Sequence, residues 1–386
     1  MADSTTPKQT SVIREEVATE LSKVFRLHTA GLDWQRAVLF LDIALVPLLI
    51  LWTIGYEQYL LGALFGLLLA ALEDPGGGYV HRATRVSAFA LIGAGLTAWS
   101  FAMGGAAWGW LVLVAFAVTL LAGLAVVLGV RTFVTALLLN IWFLVALGLA
   151  FQFDQHPRPT SHVWAQVLAW TGGAALWLAV TFLLWLLRGR QDRPRPVAEL
   201  PGDTAGQPLT TPLTRPLTSP LTSPLIAFAV IRAGAVAAAA ALAFGLDLSY
   251  GYWIPIAAVI AMKPSLEVTT LVASQRLIGA LIGAAAASLL ILVPASQDGM
   301  KEFAATRALE AVALVLLTHA VAIRFWNSTL STAALAAGVL ILVSLPHRGD
   351  YAVEGYRVLW TVCGVAIGLV LMLLAGRYAG REGEEP

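Results

Sequence analysis

Twelve apolar stretches separated by short charged turns run through this chain, and a stretch of about 20 apolar residues has one fold that leaves no backbone polar group bare in lipid. That fold is a helix across a bilayer. The stretches are approximately 37–55, 59–72, 86–103, 108–130, 132–151 and 163–187, then 226–246, 252–262, 275–293, 308–323, 326–345 and 358–375. At about 1.5 Å of rise per residue most can cross about 30 Å of hydrocarbon, while the second and eighth are marginal. Of the 386 residues, 59% are hydrophobic and only 12% are charged, roughly half the charged share of a soluble domain. The fold class expected is all-α, a polytopic membrane protein with about 12 transmembrane helices.

Charge sets the topology. With both termini inside the cell, most of the 24 Lys and Arg residues fall on the inner side, leaving Arg158, Lys301, Arg307, Arg348 and Arg357 outside; short cytoplasmic loops are rich in Lys and Arg. Counting the short second stretch as a span is what keeps Arg82 and Arg85 inside. Arg232 then sits in the first turns of the seventh span and is read as snorkelling to the inner surface. An even number of spans in each half gives the halves one orientation, so two parallel six-helix repeats about an axis along the membrane normal are expected. Local echoes point the same way: Trp170-Thr171 with Gly172-Gly173 against Trp360-Thr361 with Gly364, and Pro75, Arg85 and Gly93 against Pro264, Arg276 and Gly279.

The domain organisation that follows is a cytoplasmic amphipathic segment (1–36), a first membrane repeat (37–188), a linker (189–224), a second membrane repeat (225–376) and a cytoplasmic tail (377–386). Residues 11–28 place Ile13, Val17, Leu21, Val24 and Phe25 at helical spacing, suited to the membrane surface. No short apolar core with a small-residue cleavage site precedes the first span, so that span is expected to be retained. The linker carries Pro at 208, 212, 216, 220 and 224, a spacing that forbids a stable helix and favours extended chain. The location expected is the inner, or plasma, membrane.

Catalytic signatures are missing: there is no phosphate-binding glycine loop, no nucleophile elbow and no zinc-protease motif. One cysteine, Cys363, excludes an intrachain disulfide, and six scattered histidines have no metal-ligand spacing. The chain is expected to be no enzyme and to need no cofactor or metal. A formal net charge of +1 gives no reason to expect nucleic acid. The partners expected are the bilayer and a small organic anion, and a homo-oligomer is left open.

Ionisable residues at membrane depth are costly and therefore face a cavity, a partner or the interface. Asp42, Glu310 and His319 are the candidates for proton coupling. Glu310 and His319 lie nine residues apart, about 900° at about 100° per residue, and so point to opposite sides of one helix. Arg276 and Arg357 are candidate anion contacts, since a guanidinium fork suits a carboxylate, although either could instead bind a neighbouring helix's carbonyls. The pairs Gly279/Gly283 and Gly364/Gly368 have the spacing that lets another helix backbone approach.

Tyr252-Trp253, Pro264, Thr269 or Thr270, Arg276, Gly279 and Gly283 together form a helical hairpin with a polar elbow at 263–270, and this hairpin resembles the signature of the fusaric acid resistance (FUSC) family, also called aromatic acid exporters. The resemblance covers about 231–293. It implies export of organic, chiefly aromatic, carboxylates, with Tyr252, Trp253, Thr270, Arg276 and Arg357 as candidate substrate-binding residues; plant malate channels are distant relatives. Members often carry substantial soluble domains, for which this chain has only the linker and the tail. Three functions stay open: a secondary exporter of carboxylic acids coupled to protons, a passive organic-anion channel, and a non-transporting scaffold that recruits a partner through its linker.

Overall fold

The computed structural model describes residues 32–75, 77–155, 162–190, 222–262, 266–291, 299–324, 326–344 and 351–382. Within them are α1 (Trp34–Thr53), α2 (Leu60–Glu73), α3 (Tyr79–Ala102), α4 (Trp108–Leu124), α5 (Val130–Gln155), α6 (Val163–Leu187), α7 (Thr222–Gly245), α8 (Trp253–Ala261), α9 (Leu266–Ile291), α10 (Gly299–Ala322), α11 (Ser328–Ser344) and α12 (Tyr351–Glu382). Each apolar stretch has become one helix. Among the described residues seven helices (α1, α3, α4, α5, α6, α7 and α10) are long and apolar enough to cross a membrane, and α9, α11 and α12 carry shorter apolar cores. This is an all-α, multi-pass membrane protein. The amphipathic segment before residue 32 and the proline repeat up to Pro220 lie outside the described residues; the last proline of the repeat, Pro224, stands in the first turn of α7, where its missing N–H costs no helical bond.

Several helices start earlier than hydropathy places them. α3 begins at Tyr79, α9 at Leu266 and α10 at Gly299, because backbone hydrogen bonding continues past the point where lipid requires apolar side chains. Arg82 and Arg85 therefore ride on the first turns of α3. Glu267, Thr269 and Thr270 belong to the first turns of α9, so the polar elbow is shorter than the sequence suggests.

The two short helices hold the centre. α2 has 14 residues and α8 has 9, giving rises of about 21 Å and about 13 Å, too little to cross the hydrocarbon. In α2 every residue except Leu61 and Leu72 is buried, and in α8 every residue except Ile260. A helix that ends inside the membrane leaves carbonyls without intrahelical partners, which is tolerable only when protein rather than lipid surrounds them. α2 packs on α6, α1 and α3; α8 packs on α12, α7 and α5. Beyond them α3 lies on α5 and α6, α4 on α5, α9 on α11 and α12, and α10 on α11. The first six helices meet the second six along α4–α7 and α1–α10, with α5 touching α8.

Glycines set the distance at which the short helices are gripped. A methyl on Gly66 would collide with the Trp170 carbonyl, one on Gly173 with the Ala63 carbonyl, and one on Gly364 with the Ile254 carbonyl. Only a hydrogen side chain fits there. Gly93 similarly receives the ring of Trp170, which stacks on Trp142 at 4.7 Å and donates from Nε1 to the Ala90 carbonyl at 3.1 Å. Trp142 Nε1 donates to Thr97 Oγ1 at 2.8 Å, so both buried indoles are satisfied.

Gly173→Val and Gly364→Val should each lower the thermal unfolding midpoint in detergent, by the equivalent of about 1–3 kcal/mol of overpacking. Gly172→Val, at a position with open space around it, should leave that midpoint unchanged; fluorescence-detected size exclusion after heating separates the two classes.

Candidate substrate path and its charged ends

Alternation of the helices brings the start of α1 and the ends of α2 and α10 to one face of the bundle, the Asp33 end, and puts the turn after α1 and the start of α10 at the other, the Glu57 end. At the Asp33 end the chain leaves α2 through Glu73 and Asp74, both buried, and enters α3 with two arginines on adjoining turns. Arg82 donates from Nε and Nη2 to the two Asp74 carboxylate oxygens at 2.7 and 2.5 Å. Trp177 Nε1 donates to the same carboxylate at 3.2 Å. Arg85 Nε donates to Glu73 Oε1 at 2.9 Å, and the Thr135 hydroxyl donates there at 2.8 Å. These bidentate and shared bonds tie α2, α3, α5 and α6 at one depth.

Arginines also serve the free carbonyls where the short helices end. Arg36, on α1, donates from Nη2 to the Asp74 carbonyl at 2.5 Å, and Arg324, just past α10, donates from Nη1 to the Leu72 carbonyl at 3.0 Å. For α8 the corresponding group is Arg232 of α7, whose Nη2 donates to the Val259 carbonyl at 3.3 Å. A cation favours the negative end of a helix dipole. Arg232 is 0% exposed and lies over the Phe133 ring at 5.3 Å, so it does not snorkel to the surface as its sequence position suggested. The neighbouring helices fill the route that its side chain would need.

At the Glu57 end one arginine makes the connection. Arg307 donates from Nη1 to both Glu310 carboxylate oxygens at 2.6 Å and from Nη2 to Glu57 Oε1 at 2.6 Å. Its guanidinium lies 4.3 Å from the centre of the Trp52 ring and 5.3 Å from that of Phe303. α10 is thus joined to the turn between α1 and α2.

The residues singled out in the sequence fall into separate places. Tyr252 and Trp253, at the start of α8, are 4% and 8% exposed and are inner residues rather than members of an interfacial belt. Tyr252 packs on Gly148, and its hydroxyl donates to Gln152 Oε1 at 3.2 Å. The Trp253 indole N–H is buried with no acceptor among the described residues. Glu310 is buried with Arg307, whereas His319 is exposed, its ring edge-on to Trp34 at 5.4 Å and its Nδ1 2.7 Å from the Val315 carbonyl. The two face different surroundings, as their spacing requires. Asp42 is exposed on the outer face of α1 beside Leu45, Val46 and Leu49. Gly279 and Gly283 lie against the Thr329 and Ala333 carbonyls of α11, and Gly364 and Gly368 against α8. The side chains of Thr270, Arg276 and Arg357 lie outside the described residues. The acidic pair Glu73-Asp74 with Arg82 and Arg85 was overlooked as a unit, although two acids ending an apolar run and two arginines one turn apart were its visible signal.

Among the described residues no group of three or more His, Cys, Asp and Glu side chains could hold a metal ion. What the arrangement offers is cations and an indole donor inside an apolar bundle, a chemistry that suits an anion.

Asp74→Ala should destabilise the protein more than Arg82→Ala. The first strands Arg82 and the Trp177 N–H together, while the second leaves Asp74 its Trp177 bond; breaking a buried pair costs about 3–5 kcal/mol. The double variant should recover part of the loss in a thermal-unfolding double-mutant cycle, and strict additivity would contradict the coupling.

Residues 219–371 match the family model described as fusaric acid resistance protein-like. No curated protein and no solved structure matches the chain. The match opens just ahead of α7 and ends within α12, so it takes in the hairpin from Tyr252 to Gly283. The part of the chain that carries α7 to α12 is therefore assigned to the fusaric acid resistance protein-like family.

Proposed function

We propose that this protein is a secondary transporter that exports organic, chiefly aromatic, carboxylic acids across the inner membrane, with both termini cytoplasmic. The family and the seven candidate spans support the coarser statement, a membrane transporter; the substrate class and the direction are this reading's own. The observation that carries it is the pair of short helices. α2 and α8 hold the second place in each set of six, and both are enclosed by the bundle. Short hydrophobic segments at corresponding positions of two halves are where transporters build their substrate sites.

The same packing supports two six-helix repeats. The partners of α2, which are α6, α1 and α3, have counterparts in α12, α7 and α9 around α8, and the contact α4–α7 exchanges with α10–α1 when the halves are swapped. Arg36 on α1 and Arg232 on α7 each reach a carbonyl near the end of the short helix that follows. The path in this reading runs along the seam between the halves, past Trp253, whose free indole N–H donates to the carboxylate, and Arg232. Tyr252 would present a ring face to an aromatic substrate, with Thr270, Arg276 and Arg357 as further contacts. Glu310 and His319 are the proposed proton carriers; Asp42, turned outward on α1, is the third. No covalent chemistry on the substrate is involved.

The test is uptake of radiolabelled benzoate and a panel of aliphatic carboxylates into proteoliposomes, with and without an imposed pH gradient. Trp253→Phe, which removes the N–H and keeps the ring, and Arg276→Ala should each reduce flux about tenfold or more while the protein stays folded, the loss expected for one charge-assisted hydrogen bond. Flux that follows voltage alone would replace the exporter with a passive anion channel. No flux for any anion would end the transport reading in favour of a scaffold.

A further inference from the structure

One ionisable side chain stands where neither water nor the rest of this chain attends to it. Asp42 lies eight residues after Trp34 and eleven before Thr53 on α1, about 12 Å and about 17 Å along the axis from the two ends. It is exposed, and it makes no hydrogen bond and no ion pair among the described residues. Its neighbours on that face, Val38, Leu45 and Leu49, are exposed apolar side chains suited to lipid. A carboxyl group in such a setting is costly, and a side chain with a single methylene cannot snorkel to the interface as Lys or Arg does. Among the described side chains no other acidic group is exposed in mid-span. His319, exposed on the adjoining α10, is ruled out as a partner by depth. The Asp33 N–H donates to the Ala322 carbonyl at 3.0 Å, which sets the end of α10 level with the start of α1, so His319 stands about 9 Å nearer that end than Asp42 does.

The spacing along this face points to what covers it. Val38, Asp42, Leu45 and Leu49 follow one another at intervals of four, three and four residues, the a and d positions of a heptad seam along which two helices pack side by side. Asp42 takes an a position. A single polar residue there fixes the register and the number of strands, because it is satisfied only by a polar partner at its own level. The opposite face of α1 is already taken by α2, α6 and α10, so the seam opens outward. We infer that this face of α1 is the interface of a homodimer, in which a second copy of the chain packs across a twofold axis along the membrane normal. The two Asp42 carboxyl groups hydrogen-bond to each other there through one shared proton. Two copies inserted the same way hold each residue at the depth of its counterpart, so the second copy brings a carboxyl group to the level where a partner is wanted. Apolar contact alone gives helices no preference for each other over lipid, and polar side chains between them supply that preference. The inference goes beyond the transport reading and does not depend on it.

The experiment counts subunits of the full-length protein, carrying one fluorophore at its C-terminus, by single-molecule photobleaching in phosphatidylcholine–phosphatidylglycerol vesicles over a range of protein-to-lipid ratios. The wild type should bleach in two steps at ratios where Asp42→Leu bleaches in one, with dimerisation weakened about tenfold, the size of one interhelical hydrogen bond. Asp42→Asn, whose amides pair with each other at an a position, should stay dimeric. Oxidation of native membranes should link Leu45→Cys, in a Cys363→Ser background, into a disulfide dimer. Leu91→Cys in the same background, more exposed still and on α3, should remain monomeric. If Asp42 merely faces lipid, Asp42→Leu raises the thermal unfolding midpoint and leaves the subunit count unchanged, and that result overturns the inference. Equal cross-linking at Leu45→Cys and Leu91→Cys overturns it as well. So does a wild type that bleaches in one step at every ratio, which is also the outcome if a different protein occupies this face.

Discussion

A helix too short to cross the hydrocarbon by itself must be enclosed by protein, and much of this bundle follows from having two of them. α2 and α8 cannot reach across the hydrocarbon, so their terminal carbonyls cannot be left to lipid or reached by bulk water. Enclosure requires neighbours at backbone distance, which is why Gly66, Gly173 and Gly364 stand where carbonyls press against them. It also requires donors at the helix ends, and the chain supplies arginines: Arg36 and Arg324 for α2, Arg232 for α8. The buried positive charges therefore stand where the short helices end. Two full-length spans in those positions would need neither the glycines nor the buried cations.

The two long seams between the first six helices and the second six are built differently. Along α4–α7 the contact is close and apolar: Gly123 lies against Ala229 and Trp108 against Gly245, while Phe133 of the adjoining α5 meets Phe228 of α7. Along α1–α10 the polar ties sit at the ends, through Arg307 with Glu57 on one side and through Arg324 with Leu72 and Asp33 with Ala322 on the other. The Glu57 side chain is 47% exposed, and an ion pair so open to solvent contributes only about 0–1 kcal/mol. Parting α1 from α10 at that end costs little, since Arg307 keeps Glu310 and its two aromatic rings. Separating α4 from α7 would uncover closely packed small residues along the helix. The α4–α7 seam is thus held along its length by close packing, and the α1–α10 seam chiefly by polar ties at its ends.

What the sequence made legible was the part governed by lipid. Each of the twelve apolar stretches holds a helix, since hydropathy reports on what must be kept from water, but among the described residues only seven of these helices are long and apolar enough to cross a membrane. The starts of α3, α9 and α10 were misjudged for the same reason: apolar side chains end at the interface, but backbone hydrogen bonding does not. Depth was readable, whereas direction around each helix was not. Asp42 and Arg232 both lie within a few turns of the start of a helix, yet Asp42 faces outward while Arg232 is wholly enclosed. Which face of α7 or α1 meets a neighbour depends on contacts with helices more than 20 residues away in the chain. Glycine spacing did carry such information, because Gly279/Gly283 and Gly364/Gly368 name a face by what can approach it.

The arginines at the ends of the short helices also join neighbouring helices. Each donates to a backbone carbonyl near the end of a short helix, and a guanidinium with five donors can do this and serve other groups as well. The spare capacity of Arg36 is visible as a buried Nε without an acceptor. At the Asp33 end the α1–α10 seam is closed by backbone contact and by Arg324 on the Leu72 carbonyl, and at its opposite end by the more exposed pair of Arg307 and Glu57. Arg324, one of the arginines that serve the ends of the two short helices, is therefore also part of what joins the two sets of six helices along this seam.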